Sequence, residues 1–284
     1  MKLLSFKIDG RASFGAIVDE KIVDLGRKFA GRFVDLVDVL KAGALPDVEA
    51  ALTGATGDYA QSDVEFLPVI PNPPKIICIG VNYDSHRTEI GRDPSLKPMV
   101  FARFATSQVG HLQPMILPPE SPTFDYEGEI AVIIGKAGRR ISQEKSWEYI
   151  AGYAPYNDGS IRDWQRHTPQ WGPGKNWHLT GGFGPWMTTR GEIADNQDLH
   201  LLTRLNGMEV QNANSSEMIF SIPYLIEYCS TFIPLEPGDV IVTGTPGGVG
   251  VRREPKLFMK DGDIVEVEIT QIGVLRNPIK AEVV

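Results

Sequence analysis

The sequence predicts an α+β chain, predominantly β, with a small N-terminal domain over residues 1–70 and a larger domain over 71–284. Three observations carry this expectation. Among 284 residues there are 29 glycines and 21 prolines, roughly half again the average share, which favours turns and short strands over long helices. Apolar runs are short and bounded by turn signals. The segment Leu67-Pro68-Val69-Ile70-Pro71-Asn72-Pro73-Pro74 can continue neither a helix nor a central strand, so it marks the linker.

In the leading part, Leu4, Phe6 and Ile8 alternate and Asp9-Gly10 supplies a hairpin turn. Residues 14–18 return as the partner strand, and 22–25 form a third. Phe33, Leu36, Val37 and Leu40 then fall at i, i+3, i+4 and i+7, the spacing of a short helix packed on that sheet. Beyond the linker, strand signals occur at 76–81, 127–134, 151–156, 240–243 and 265–269. Helical patterning is confined to 142–149 and 222–230, the latter with Ser221 as N-cap. The stretch 165–186 is rich in Gly, Pro and Trp. No internal repeat or low-complexity tract is present.

Composition excludes several classes. Net charge is −8 and no basic stripe is present, which argues against nucleic-acid binding. No apolar stretch approaches the ~18 residues of a spanning helix, and the start, MKLLSFKIDG, has too brief an apolar run for a signal-peptide core. Cys78 and Cys229 are far apart and form no ligand-spaced cluster, in keeping with a reducing compartment. The expectation is a soluble, cytoplasmic protein.

Three clusters could carry chemistry. In Phe124-Asp125-Tyr126-Glu127-Gly128-Glu129-Ile130-Ala131, acids open a strand. Alternation places Glu127 and Glu129 on one face, ~6–7 Å apart, and Tyr126, Gly128, Ile130 and Val132 on the other. Bringing two such anions to ~4 Å costs about 4 kcal/mol at an effective dielectric of ~20, which a divalent cation would relieve. The motif alone is weak evidence, since Glu266-Val267-Glu268 repeats it and reads as a solvated face. The first pair differs by running into the apolar 131–134, a strand buried on both sides. The second cluster, Tyr156-Asn157-Asp158-Gly159-Ser160-Ile161-Arg162-Asp163-Trp164-Gln165, combines acids, amides and an arginine, and on spacing alone is a β-turn. The third, 82–91, places His86 and Glu89 at i, i+3. A carboxylate beside an imidazole raises its basicity and fixes its orientation, although an ordinary surface pair has the same spacing.

Other motifs are absent. The stretch Thr243-Gly244-Thr245-Pro246-Gly247-Gly248-Val249-Gly250 lacks the G-K-[ST] ending of a phosphate loop. His111, His167, His178 and His200 have no zinc-ligand spacing, and there is no G-x-S-x-G elbow.

Taken together, these clusters resemble the fumarylacetoacetate hydrolase superfamily from about Lys75 to the C-terminus. The resemblance rests on Ile79-Gly80-Val81-Asn82-Tyr83 with His86 and Glu89, on Asp125 to Glu129, on the 157–165 segment, and on Gly174-Lys175. Pro185-Trp186, Pro237-Gly238-Asp239 and the 243–250 stretch complete it. It implies a mixed β-sheet roll as the catalytic domain, usually in a homodimer. It also implies Glu127, Glu129 and Asp158 as ligands of Mg²⁺, or Mn²⁺ or Ca²⁺, which suits an all-oxygen site. His86 and Glu89 match a water-activating dyad on a lid, and Gln165, Lys175 and Thr245 match substrate-pocket residues. One departure is Gly159, where many relatives have Val; it leaves the ligand intact but bears on the pocket wall. The run Trp164, Trp171, Trp177 suggests bulky packing near the site.

The activity this implies is hydrolytic C–C cleavage of an acylpyruvate-, fumarylpyruvate- or fumarylacetoacetate-like β-diketo acid, in aromatic or sugar acid catabolism. Lys175 would supply a fixed positive charge to the enolate and Thr245 a hydrogen bond to the oxo-acid end. The alternatives are a decarboxylase, isomerase or tautomerase, or hydratase on the same site, and a non-catalytic 2-oxo acid binding protein. Arg103, Arg162 and Arg166 could each pair a distal substrate carboxylate, or equally a structural Asp.

Overall fold

The computed structural model describes residues 1–283, and strands dominate it, as the sequence predicts. A mixed sheet of 13 strands forms the frame, joined by a five-stranded sheet and a two-stranded one. Lys2–Ile8 and Arg11–Val18 form the expected hairpin, with Asp9 and Gly10 both at positive φ in its turn. The third strand is Lys21–Asp24, one residue earlier than expected, because Asp24 caps the short helix Leu25–Lys28 and accepts the Arg27 amide. Strand Lys2–Ile8 also pairs with Met187–Thr189, so the large sheet runs across the linker. Val69 and Ile70 are buried within the same core.

The centre of the sheet is Gly128–Ile134, buried at every residue. It pairs antiparallel with Ile150–Asp158 on one side and Val240–Val242 on the other. The latter strand pairs in parallel with Ile76–Gly80. Alternation sorts the central strand between two cores. Ala131 and Ile133 pack with Leu3, Phe14 and Leu36 of the leading segment. Ile130, Val132 and Ile134 pack under Ile222, Leu225, Ile226 and Cys229 of helix Ile222–Phe232. That helix is capped by Ser221, as the sequence predicts.

Two helical expectations fare differently. Helix Leu36–Lys41 forms where the i, i+3, i+4, i+7 spacing places it. Residues Gln143–Tyr149 form a 3₁₀ run instead of an α-helix; Ser142 makes no side-chain cap there, and Ser146 turns its hydroxyl onto the Gln143 carbonyl. The comparison pair Glu266 and Glu268 lies on the half-exposed face of Ile264–Ile269, against Arg276 and Arg204, the solvated face expected of it. Both cysteines are free and buried, and among the described residues no helix is long and apolar enough to cross a membrane.

His111 joins the leading segment to the C-terminal strand. Its ring meets Phe66 edge-on at 5.0 Å, and its Nδ1 accepts the Arg276 amide at 3.0 Å. Burial, with the Arg276 charge beside it, pushes this imidazole down to about 4. Below a pH of about 6.5 the unfolded chain takes up a proton that the folded one refuses. Stability present above that pH is therefore lost as pH falls towards 4. Denaturant midpoints at pH 7 and 4.5 are expected to diverge less in His111→Gln than in the native chain.

Candidate active site and metal centre

The antiparallel register brings three carboxylates together. Gly128 sits opposite Asn157, and the Asp158 amide donates to the Glu127 carbonyl at 2.8 Å. Glu127 and Glu129 therefore share a face with Asp158 on the neighbouring strand. One oxygen from each lies within 4.8 Å of the other two, and all three residues are buried. Gly128, on the opposite face, has no room for a side chain, since a Cβ there would lie 2.0 Å from Thr203 Oγ1 of the second sheet.

Three cations are buried with these acids. Lys175 Nζ donates to Glu127 Oε2 and Asp158 Oδ2, both at 2.6 Å. Arg162 donates to Asp125 Oδ2 at 2.8 Å and Glu127 Oε1 at 2.6 Å. Arg103 donates to Asp158 Oδ1, Gly159 O and Thr180 Oγ1. Burial favours the neutral acid, but Arg162 and Lys175 outweigh it and hold Glu127 down at about 2. Glu129 has no cationic contact among the described residues, only the Gly244 amide. Burial, with Asp158 and Glu127 beside it, pushes its carboxyl well above the ordinary value.

This arrangement revises the reading of the arginines. Arg103 and Arg162 are committed to acids of the site and are not free to meet a distal substrate group through those bonds. Gly159 likewise does not shape the pocket wall. A Cβ at that position would lie 2.1 Å from the Thr180 carbonyl and 2.9 Å from Phe124, on the side where strand Gly181–Phe183 packs.

Lys175 is carried by the short helix Gly172–Lys175. Gly174 lets that turn approach Arg162–Gln165 closely, since a Cβ there would lie 2.4 Å from the Gln165 backbone. Arg162 Nη1 donates to Gln165 Oε1 at 2.9 Å. Trp171 lines the cavity beside Phe101, whereas Trp164 and Trp177 meet edge-on at 4.8 Å and do not line it.

The remaining candidates are set by two other segments. His86 and Glu89 lie on helix Asp84–Glu89, with His86 Nδ1 3.1 Å from Glu89 Oε2. Glu89 Oε1 accepts the Gly248 amide at 3.0 Å, so the helix rests on the glycine-rich stretch. The helix follows Val81, a β-branched residue at φ 58, a strained backbone position in the cavity wall. Asn82, fully buried, holds this bend through Phe220 and Thr243. Thr245 accepts from Gln211 and gives its only hydroxyl proton to the Gly128 carbonyl at 2.9 Å, so it is placed to accept a further bond, not to donate one.

His86, Glu127, Glu129, Gln165, Lys175 and Thr245 line one cavity of about 150 Å³. Asp158 lies beneath it and Glu89 behind His86. Comparison with known proteins now bears on the assignment. The family described as "Fumarylacetoacetate (FAA) hydrolase C-terminal" matches residues 75–280. The chain belongs to the fumarylacetoacetate hydrolase family. It is 40% identical over 238 residues to "Oxaloacetate tautomerase fahd2, mitochondrial" of Xenopus laevis, which covers 83% of this chain and 75% of the relative. The structure of fumarylacetoacetate hydrolase from psychrophilic Exiguobacterium antarcticum superposes with a TM-score of 0.88 at 32% identity, covering 99% of this chain and 100% of that one. Maleylpyruvate hydrolase from Sphingobium sp. SYK-6, solved with manganese (II) ion and pyruvate, gives 0.82 at 26% identity, covering both chains fully.

The donor set fits a divalent cation. Three carboxylate oxygens converge without nitrogen or sulfur ligands. Glu129, the one of the three without a cationic contact among the described residues, has its ionised form disfavoured by burial and by Asp158 and Glu127, which a bound cation would reverse. The packing around Gly159 gives a separate test. Gly159→Val is expected to lower stability by about 1–3 kcal/mol through overpacking against backbone, read as a fall in denaturant midpoint.

Proposed function

We propose that this chain is a divalent-metal-dependent enzyme that takes a 2-oxo acid through its enolate, and that the reaction is keto–enol tautomerisation of an oxaloacetate-like substrate. The observation that carries this is the His86–Glu89 pair facing the carboxylate triad across one cavity. The relatedness to oxaloacetate tautomerases supports the choice of reaction.

A cation held by Glu127, Glu129 and Asp158, with Mg²⁺ the expected occupant, supplies Lewis-acid polarisation of the 2-oxo acid. The residues of the chain do the rest. Glu89 accepts from His86 Nδ1, which fixes the tautomer and leaves Nε2 as the base towards the cavity. Nε2 takes the proton from C3 of the substrate, and the imidazolium so formed returns a proton to the carbonyl oxygen, which gives the enol and restores the neutral base. Lys175, held by two carboxylates, is a fixed positive charge beside the developing enolate. Gln165 orients the substrate, and Thr245, whose one proton goes to the Gly128 carbonyl, is left to accept from the enol hydroxyl once it forms.

C–C hydrolysis of a β-diketo acid is the second reading, favoured by the likeness to maleylpyruvate hydrolase. There the same Nε2 would take its proton from a water that attacks the distal carbonyl. A UV assay of oxaloacetate and acetylpyruvate with Mg²⁺ or EDTA, with products weighed by mass spectrometry, separates the two. Metal-dependent interconversion at unchanged mass is expected from oxaloacetate. Release of pyruvate plus a carboxylic acid from acetylpyruvate would establish hydrolysis instead, and no reaction of either would overturn both.

Two substitutions follow. His86→Ala is expected to lower the rate by about 10²–10⁴, the usual worth of general-base help. Asp158→Asn is expected to abolish the rise in melting temperature on adding Mg²⁺, since ligand binding stabilises only the folded state. An undiminished thermal shift in that variant would remove Asp158 from the ligand set.

A further inference from the structure

The cavity carries more positive charge than its own acids use. Lys175 and Arg103 end on carboxylates, and Arg162 spends Nε and Nη1 on Asp125, Glu127 and Gln165. Its third nitrogen, Nη2, is buried without a hydrogen-bond partner among the described residues, on a side chain only 6% exposed. A buried donor of a charged group left unpaired is unusual and asks for a partner. Arg166 and Arg252 line the same cavity. Neither forms an ion pair among the described residues, and the one hydrogen bond of Arg252 is long, at 3.4 Å to the Ile90 carbonyl. Arg166 loses proton affinity to burial and then to the charges of Arg162 and Arg252, so the three guanidiniums sense one another. In a chain of net charge −8, four guanidiniums around one opening form a local exception, since Arg92 lines it too, against Trp171, and Arg92, Arg166 and Arg252 make no ion pair among the described residues.

We propose that Arg166 and Arg252, with the free Nη2 of Arg162, form an anion subsite for a second carboxylate of the substrate, so that the enzyme selects dicarboxylic over monocarboxylic 2-oxo acids. The proposal rests on the 2-oxo acid reading given above and adds to it the class of substrate and the residues that select it. A planar guanidinium fork matches a carboxylate in two parallel hydrogen bonds. The work is then divided: the triad would take the 2-oxo acid end, and Arg166 and Arg252, with Arg162 between them and Glu127, the distal end. Arg252 stands two residues beyond Gly250, whose amide is held by Asp125 Oδ1, and Arg166 follows Gln165 directly. Both are therefore carried by segments already anchored to the site.

The test uses two compounds of equal length that differ only at the far end, 2-oxoglutarate and 2-oxopentanoate. Their affinities are measured by titration calorimetry with saturating Mg²⁺, on the native chain and on Arg166→Ala/Arg252→Ala. The native chain is expected to prefer the dicarboxylate by about 10- to 100-fold, the worth of hydrogen bonds to a charged group. The preference is expected to fall towards unity in the double variant, through weaker binding of the dicarboxylate. Equal affinities in the native chain, or a preference that survives the double substitution, would overturn the subsite. Exchange of the C3 protons in D₂O, followed by NMR on the native chain, tests the underlying reading separately. A preference in binding without exchange would leave the subsite standing and remove the enolate chemistry.

Discussion

Four carboxylates can be buried at the end of this sheet only because three cations are buried with them. Removing an ion from water costs several kcal/mol even after relaxation, and Asp125, Glu127, Glu129 and Asp158 are all withdrawn from solvent. Arg103, Arg162 and Lys175 return most of that cost through short, multiple contacts. The remaining imbalance falls on Glu129, which has a backbone amide and no cation. Much of the local architecture serves this charge set. The lysine turn and the arginine turn must touch, hence Gly174, and the second sheet must come close under Gly128.

The glycine-rich stretch gains its meaning from the same acids. Sequence patterning excludes a phosphate loop there, and the structure shows what the segment does instead. Glu129 holds the Gly244 amide, Glu89 the Gly248 amide, and Asp125 the amides of Gly250 and Val251. Tyr126 and Arg253 both donate to the Gly248 carbonyl. The loop thus ties the helix of His86 to the strand of Glu127 and Glu129. A general base and a metal centre from distant parts of the chain are fixed relative to each other by carboxylate-to-amide bonds, which are among the stronger hydrogen bonds a protein makes.

Period-two alternation was sufficient to put Glu127 and Glu129 on one face and to predict a strand buried on both sides, and both features follow from the pleat itself. Asp158 could not be placed that way, because its position depends on the register between two strands, and register is set by long-range pairing. The i, i+3 spacing brought His86 to Glu89, since that contact is local. Arg103 was open between a substrate partner and a structural acid for the opposite reason, as its partner lies 55 residues away. Arg252 carries no motif and enters the site only through the folding of the 243–252 segment. The 3₁₀ run at Gln143–Tyr149 has the apolar spacing of a helix, and that spacing does not by itself separate a 3₁₀ run from an α-helix.

On the function proposed above, enolate formation is the one step that a tautomerase and a hydrolase acting at such a site would share. On that reading the triad, the lysine and the histidine pair would all act on the 2-oxo acid end, where one proton is moved whichever product follows. They do not decide whether a water molecule is also consumed. That decision would fall to the rest of the cavity wall, where Ile79, Phe101, Trp171 and Val249 supply apolar surface and Arg166 and Arg252 supply charge. With a distal carboxylate seated on the arginines, apolar surface of the same wall would keep water from the substrate between its two charged ends. The same wall that selects the substrate would then also favour proton transfer over hydrolysis.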